Sequence, residues 1–106
     1  MSYYSDVVNS MHSVETLTGA GAVSVVTSAT LLVTTSTDAL TLAVAQAGQL
    51  KFICMQTDGG TGTLTPTAGT LSGYTTIAFA DVGDWVILKF NGLQWEVKAS
   101  RGVTLA

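Results

Sequence analysis

The chain has few charged side chains, since Asp, Glu, Lys and Arg make up only 10% of its 106 residues, against about 25% in an ordinary globular domain. Hydrophobic residues account for 47%. Monomeric proteins seldom leave large apolar patches in contact with water. We therefore expect this chain to cover apolar surface against copies of itself or against a larger protein assembly.

Basic residues are scarce and dispersed along the sequence. The four are Lys51, Lys89, Lys98 and Arg101, and the net charge at pH 7 is −3. Phosphate binding needs several cations that converge on one surface. The composition therefore predicts no nucleic-acid partner.

Cysteine and histidine occur once each, as Cys54 and His12. A single cysteine cannot form an intramolecular disulfide, and its position in the apolar run 50–55 predicts a buried side chain. A lone histidine with no second ligand type nearby predicts neither a metal site nor a general base. No nucleophile, base and orienting group occur in a recognisable order. We expect no enzyme activity, and no catalytic, metal-binding or cofactor-binding residues.

Long apolar runs are also absent. No stretch reaches the ~20 apolar residues that a membrane-spanning helix needs, and residues 1–14 have neither a basic start nor a long apolar segment. We therefore expect no secretory signal and no membrane partner, and we expect synthesis in the cytoplasm.

Short β-prone runs separated by turn residues follow one another from Val14 onwards. Turn signals every ~8–12 residues are typical of an all-β fold, here a small antiparallel β-sandwich or a partly open barrel. We predict one β-domain over residues 14–100, with an extended N-terminal arm over 1–13 and a C-terminal tail over 101–106. No internal repeat of a length suited to a solenoid is visible.

Two of these runs predict their place in a sheet. Residues 50–56 are apolar on both sides, as expected of a central strand with the core on one face and either core or a partner on the other. Residues 63–65 are followed by Pro66, which suits an edge strand because proline donates no backbone hydrogen bond. The tail could add an edge strand or cross to a neighbour.

The segment 84–99 reads as a β-hairpin with Asn91-Gly92 at its reversal. A two-residue turn would place Phe90 opposite Leu93. A four-residue loop places Phe90 opposite Trp95 and Lys89 opposite Glu96, and we favour it because it pairs two aromatic rings and two opposite charges. Apolar residues alternate along both arms, Val86, Leu88 and Phe90 on the first and Trp95, Val97 and Ala99 on the second. The predicted core residues are Phe52, Cys54, Ile77, Phe79, Val86, Leu88, Phe90, Trp95 and Val97.

Two loops resemble ligand sites only superficially. The glycine-rich segment 57–62 lacks the Gly-Lys-Ser/Thr ending of a phosphate loop and the recurring acidic positions of a calcium loop, so it predicts an ordinary turn. Asp81 and Asp84 have no acid or base partner, and we expect them to accept backbone N–H groups within a turn.

The second half of the chain resembles a segment that recurs in structural proteins of tailed bacteriophages. Some of the proteins that contain this segment are small capsid decoration (cement) proteins, and others are fibre-like virion proteins. The residues that carry the resemblance are Leu71-x-Gly73, Thr76-Ile77-x-Phe79, Gly83-Asp84-x-Val86-x-Leu88-x-Phe90 and Trp95-x-Val97.

The resemblance implies a structural function. Decoration proteins of this kind are compact β-domains that trimerise and sit on the outer surface of the capsid, where they bridge adjacent major capsid subunits. We therefore expect a homotrimer that binds the major capsid protein and is located in the virion. The residues expected to contact the capsid or a neighbouring copy are Tyr3, Tyr4, Val7, Val8, Met11, Arg101, Val103 and Leu105.

The alternative is a receptor- or glycan-binding module of a phage head or tail fibre. Trp85, Trp95 and Tyr74 could then form an aromatic platform for a sugar, although strand aromatics more often belong to a core or an interface. The copy number per virion would separate these two functions.

Overall fold

The computed structural model describes residues 13–106, and in this part of the chain every regular element is a β-strand. Ten strands form two five-stranded sheets that share one hydrophobic core. The all-β class and the small sandwich predicted from the sequence are confirmed. The strands are β1 (Val14–Thr18), β2 (Gly21–Val23), β3 (Ala29–Val33), β4 (Asp38–Leu42), β5 (Leu50–Thr57), β6 (Gly62–Pro66), β7 (Ile77–Phe79), β8 (Trp85–Phe90), β9 (Trp95–Arg101) and β10 (Thr104–Leu105).

The two sheets are mixed, which corrects the expectation of uniformly antiparallel sheets. Sheet A has the order β1-β3-β5-β8-β9, and sheet B has the order β10-β7-β6-β4-β2. The first six strands alternate between the sheets, so that β1, β3 and β5 run parallel in sheet A, and β2, β4 and β6 run parallel in sheet B. The last four strands add antiparallel pairs. Parallel neighbours need a crossover connection, and here each crossover contains a strand of the opposite sheet.

The first half of the domain therefore consists of three stacked coils, each with one strand in sheet A and one in sheet B. Val14 is paired with Ala29, and Ala29 with Phe52, so the second coil is longer than the first. Because the coils differ in length, they leave no fixed period in the sequence. This explains why the sequence shows no solenoid repeat.

The core lies between the sheets and is almost entirely aliphatic and aromatic. Six of the nine predicted core residues belong to it, and Val97 packs against it. The Trp95 indole is fully buried, and its Nε1 donates a hydrogen bond of 3.0 Å to the Ala43 carbonyl beyond the end of β4. The buried hydrophobic residues are Val23, Leu32, Leu40, Leu42, Ile53, Met55, Leu64, Leu71, Ile77, Phe79, Val86, Leu88, Phe90 and Trp95.

The hairpin of β8 and β9 has the four-residue loop that the sequence favours. Phe90 is opposite Trp95, with their ring centroids 5.2 Å apart in an edge-to-face arrangement, and Lys89 is opposite Glu96. Asn91 closes the loop, because its Oδ1 accepts hydrogen bonds of 2.8 Å from the backbone N–H groups of the two residues that follow Gly92. The predicted register is confirmed at this end of the hairpin.

A bulge further along the hairpin changes the side on which Ala99 lies. Leu88 is opposite Val97, whereas the next residue of β8, Ile87, is opposite Ala99. Lys98 is the extra residue, so Ala99 shares the outward side of the sheet with Ile87 instead of the side of Trp95. A bulge inserts one residue into one strand only, and the alternation of the sequence gives no sign of it.

The central position of β5 in sheet A is confirmed, but the side that faces the core is corrected. Lys51 is fully buried on the inner side together with Ile53 and Met55, whereas Phe52 and Cys54 lie half-buried on the outer side. Both sides of β5 are apolar enough to be buried, so Lys51 is the residue that distinguishes the side facing the core from the outer side. The Lys51 ammonium finds hydrogen-bond acceptors inside the domain, as described below.

Two smaller expectations also change. β6 occupies the centre of sheet B, not an edge. Pro66 is tolerated there because it is the last residue of the strand, and the next N–H, that of Thr67, donates to the Leu42 carbonyl. The predicted tail begins inside β9 instead of after it. Its residues Thr104–Leu105 form an edge strand against β7, which confirms one of the two alternatives expected for the tail.

Candidate interaction surface

The outward side of sheet A carries a continuous apolar surface, which we call face A. Alternation along each strand places one set of side chains in the core and the other set on this face. The most exposed large members are Leu50, at 56%, and Val14, at 46%. Face A consists of Val14, Thr16, Thr18, Ala29, Leu31, Val33, Leu50, Phe52, Cys54, Trp85, Ile87, Lys89, Glu96, Ala99 and Arg101.

The strand register aligns these side chains in rows across the sheet. One row crosses all five strands and is formed entirely by apolar residues, Val14, Ala29, Phe52, Ile87 and Ala99. The next row brings Trp85 level with Cys54, and the rings of Phe52 and Trp85 lie 6.1 Å apart. Neighbours within the rows shield one another, which leaves most of these side chains half-buried.

Charge on face A is confined to the side formed by β8 and β9. Lys89 and Arg101 are exposed there. Glu96, in the row of Lys89, forms its ion pair with Lys98 instead, at 2.7 Å. The hydrogen bond from Lys98, helped by one from Asn91, lowers the pKa of the Glu96 carboxyl. The predicted register of Lys89 and Glu96 is therefore right, but the ion pair forms within β9.

Sheet B presents a different outward side, which we call face B. It holds only alanine and threonine, in two rows set by the strand register. Threonine suits an exposed strand because its methyl group packs along the pleat while its hydroxyl reaches water. Face B consists of Ala22, Ala39, Thr41, Thr63, Thr65, Ala78 and Thr104.

Cys54 lies near the middle of face A, between Leu31 and Trp85. Burial, and secondly the negative charge of Asp84, raise the pKa of its thiol. A raised pKa keeps the thiolate fraction low at neutral pH, and the thiolate is the reactive form. Cys54 is thus a weakly reactive apolar group in a surface, not an activated nucleophile.

A polar cluster lies on the inner side of sheet A, beside the loop between β2 and β3. The Lys51 ammonium donates to the Thr27 carbonyl at 3.0 Å and to the Thr27 hydroxyl at 2.8 Å. Glu15 accepts from the Ser24 N–H and from the Thr30 hydroxyl, both at 2.7 Å. Burial lowers the pKa of Lys51 to about 8, against the opposing effect of the Glu15 charge. These hydrogen bonds give the buried Lys51 cation its acceptors and hold the loop between β2 and β3 in place. The cluster therefore has a structural role.

The glycine-rich turn 57–62 also packs against the protein itself. Gly59 N–H donates to the Thr34 hydroxyl at 2.9 Å, and that hydroxyl donates to the Gly60 carbonyl at 2.7 Å. A Cβ on Gly59 would clash with the Thr34 backbone carbonyl. The glycines are thus explained by close backbone approach. In the turn before β8, Asp84 accepts two N–H groups at 3.0 Å, as expected of turn chemistry.

Two shallow concavities lie away from face A. One, of about 510 Å³, is lined by Val25, Val26, Val44, Ala45, Gln46 and Gln49. The other, of about 210 Å³, lies beside Tyr74 and the end of β6. Neither is lined by an ionisable side chain other than the Tyr74 phenol. Within residues 13–106, no three side chains of the types that ligate metals lie close enough together to hold an ion.

The predicted contact residues have different outcomes. Five of them, Tyr3, Tyr4, Val7, Val8 and Met11, lie outside the described residues, as does His12. Arg101 is exposed at the border of face A, whereas Val103 and Leu105 are half-buried and pack against the core.

The three aromatic residues considered for a sugar platform do not share a surface. Trp95 is buried in the core, Trp85 lies on face A and Tyr74 borders the smaller concavity. Sequence reasoning missed three apolar members of face A, namely Leu31, Val33 and Ile87. The available signal was the two-sided apolar character of β3, β5 and β8.

No protein-family model matches the chain, and no curated protein sequence matches it at a significant level. Over the described range 13–106 the structure contains no helix that could cross a membrane.

Proposed function

We propose that the chain is a structural virion protein that decorates the outer surface of a bacteriophage head. In this proposal it associates with copies of itself as a trimer and clamps adjacent subunits of the major capsid protein. The resemblance in the second half of the chain suggests the class of virion protein, and face A supplies the physical support.

Face A is the observation that carries the proposal. It combines large apolar side chains such as Leu50, Phe52 and Ile87 on one side of one sheet, in a chain with 10% charged residues. A contiguous apolar patch of this kind is typical of an interaction surface. Face B offers the contrast of a surface suited to water, so the domain has one side for a partner and one side for solvent.

The proposed mechanism is mass action on the assembled shell. A protein that binds only the expanded lattice stabilises it by RT ln(1 + [L]/Kd) at each site. A trimer that touches several capsid subunits gains further, because its second and third contacts form at high effective concentration. Many weak contacts then act together as one durable clamp.

The alternative of a glycan-binding fibre module has less support. It would need aromatic rings on one accessible surface, and Trp95 is in the core. The decoration function requires nothing of Trp95 except its contribution to the folded core.

The proposal can be tested by adding the purified protein to phage heads that lack it. We expect saturable binding with a copy number comparable to that of the major capsid protein, and slower release of DNA from the heads on heating. A handful of copies per particle would indicate a fibre, and absence of binding would overturn the proposal. Light scattering of the isolated protein gives an independent check, because a mass of three chains is expected.

A further inference from the structure

We propose that face A is the docking site for the N-terminal segment, residues 1–12, of a second copy of this chain. The inference rests on the proposed function only in that it requires self-association. It names the occupant of face A. It also implies that neighbouring copies bind one another by exchanging their N-terminal segments.

The area of face A is the first argument. Five strands about 4.8 Å apart and about 17 Å long give a surface of roughly 350 Å². Stable interfaces bury about 800 Å² on each partner. An apolar segment of twelve residues laid on the face adds its own contact area, so an exchange of segments gives each partner a larger interface than a stack of two A faces does.

The length and chemistry of residues 1–12 fit this surface. Twelve residues extend up to ~40 Å, while crossing the five strands of sheet A takes ~19 Å. The segment is rich in apolar side chains and has one acidic residue, Asp6. Face A has an apolar centre, and its charged residues, Lys89, Glu96 and Arg101, lie at one border, so the apolar side chains of the segment meet an apolar surface. The apolar side chains of the segment are Tyr3, Tyr4, Val7, Val8 and Met11.

The place where the described chain begins favours a second copy over the same copy. The Ser13 carbonyl accepts hydrogen bonds from the Ser28 and Ala29 N–H groups at 2.9 and 3.1 Å, which holds it in line with β1 at the edge of sheet A. To cover its own face A, the chain would have to reverse at this point. A chain that continues in line with β1 instead runs beyond the end of its own sheet, which brings it within reach of a neighbouring copy.

Cys54 provides a native reporter, because it lies in the middle of face A and is the only cysteine of the chain. In the full-length protein we expect alkylation of Cys54 by iodoacetamide to be slow at high protein concentration. Replacing Val7 and Val8 by Asp should accelerate it by about tenfold, because the covered state is lost. Replacing Ser5 and Ser10 by Asp adds the same charge without removing apolar contacts, and we expect less than about a twofold change.

Dilution of the wild-type protein separates the two possible occupants. Protection by a second copy should disappear at dilutions where light scattering shows a monomer, whereas protection that persists in the monomer would show that each chain covers its own face and would overturn the proposal. Equal alkylation rates for the wild type and the Val7→Asp, Val8→Asp variant at all concentrations would overturn it as well. Circular dichroism of each variant checks that the fold is intact.

A cross-linking experiment tests the exchange directly. A chain with Val8→Cys and Cys54→Ser is mixed with the wild-type chain and oxidised, so a disulfide between positions 8 and 54 can form only between chains. We expect the corresponding linked peptide in mass spectra, and no such peptide when the wild-type chain is replaced by Cys54→Ser. Failure to form it, with Ser5→Cys and Met11→Cys failing likewise, would contradict the proposal. No capsid is present in these experiments, so their outcome is independent of head binding.

Discussion

Faces A and B belong to sheets of equal strand number in one small domain, yet their outward residues differ in kind. Face A holds Phe52, Trp85 and Ile87, whereas face B holds only alanine and threonine. Both inner sides build the same core, so folding alone gives no reason for the difference. The residues on an outer face take no part in the core between the sheets, although pairs such as Phe52 and Trp85 contact one another across strands. The contrast therefore depends on what each face contacts outside the domain. A surface of Ala and Thr is suited to water, whereas face A is suited to a partner.

The largest expected effect comes from placing a charge on each face in turn. Phe52 lies on the central strand of sheet A and Thr65 on the central strand of sheet B. The two variants to compare are Phe52→Asp and Thr65→Asp. We expect Phe52→Asp to raise the Kd of self-association by about 100-fold, as for an interface hot spot, and Thr65→Asp to change it by less than about threefold. Sedimentation equilibrium measures both.

Chemical denaturation of the same two variants must accompany this measurement, since Phe52 also contacts Trp85. If Thr65→Asp weakened association as much as Phe52→Asp, the distinction between the two faces would fail.

The next effect concerns the turn 57–62 between β5 in sheet A and β6 in sheet B. Gly59→Ala forces a Cβ against the Thr34 carbonyl, a backbone atom that cannot move aside easily. We expect a loss of about 2–3 kcal/mol in the free energy of unfolding, in the range for overpacked sites. Gly69→Ala is the matched control, because its φ of 77° is unfavourable for alanine but nothing lies within 4 Å of the added Cβ. It should lose only about 1 kcal/mol. Equal losses would show that close packing does not explain Gly59.

The inner side of sheet A gives a pH-dependent effect, since it buries Lys51. The pKa of Lys51 is about 8 in the folded protein and 10.5 in the unfolded chain. Between these values the unfolded chain binds more protons, so the free energy of unfolding rises with pH. We expect Lys51 to contribute a rise of about 2 kcal/mol between about pH 8 and pH 10.

Lys51→Met isolates this contribution, because the variant lacks the amine that takes up or releases the proton. The variant should equal or exceed the wild type in stability at pH 7, since an apolar group of similar volume replaces a buried cation. The difference should shrink as the pH rises. A difference that stays constant from pH 7 to pH 10 would mean that Lys51 titrates normally.

Lys51 also shows why the sequence predicts some parts of this fold and not others. The hairpin of β8 and β9 was predictable because its signals are local, namely a period of two and Asn91-Gly92 between the arms. The two sides of β5 are both apolar, so its orientation could be judged only from the lysine, which usually faces water. Thr27, which accepts the hydrogen bonds of Lys51, lies far from it in sequence. Its proximity depends on the parallel coils, and no local pattern encodes those.

The same reasoning applies to the candidate surface. The low charge of the chain predicted that an apolar surface exists, and the two-sided run 50–56 predicted one of its strands. The rows that join Leu31, Cys54 and Trp85 depend on pairings between distant strands. A sequence read on its own specifies which strands are apolar on both sides, but only the sheet order specifies that they are neighbours.

The smallest expected effect lies at the polar border of face A. Glu96 and Lys98 form an ion pair at 2.7 Å on the exposed part of β9. Lys98→Ala should raise the pKa of the Glu96 carboxyl, because the hydrogen bond from Lys98 is the main cause of its lowering. It should leave the thermal midpoint essentially unchanged, since exposed ion pairs contribute little. An NMR titration of Glu96 measures the first effect, with Lys89→Ala as a control that should shift the pKa less. If Lys89→Ala shifted it more, the cross-strand pair expected from the sequence would dominate in solution.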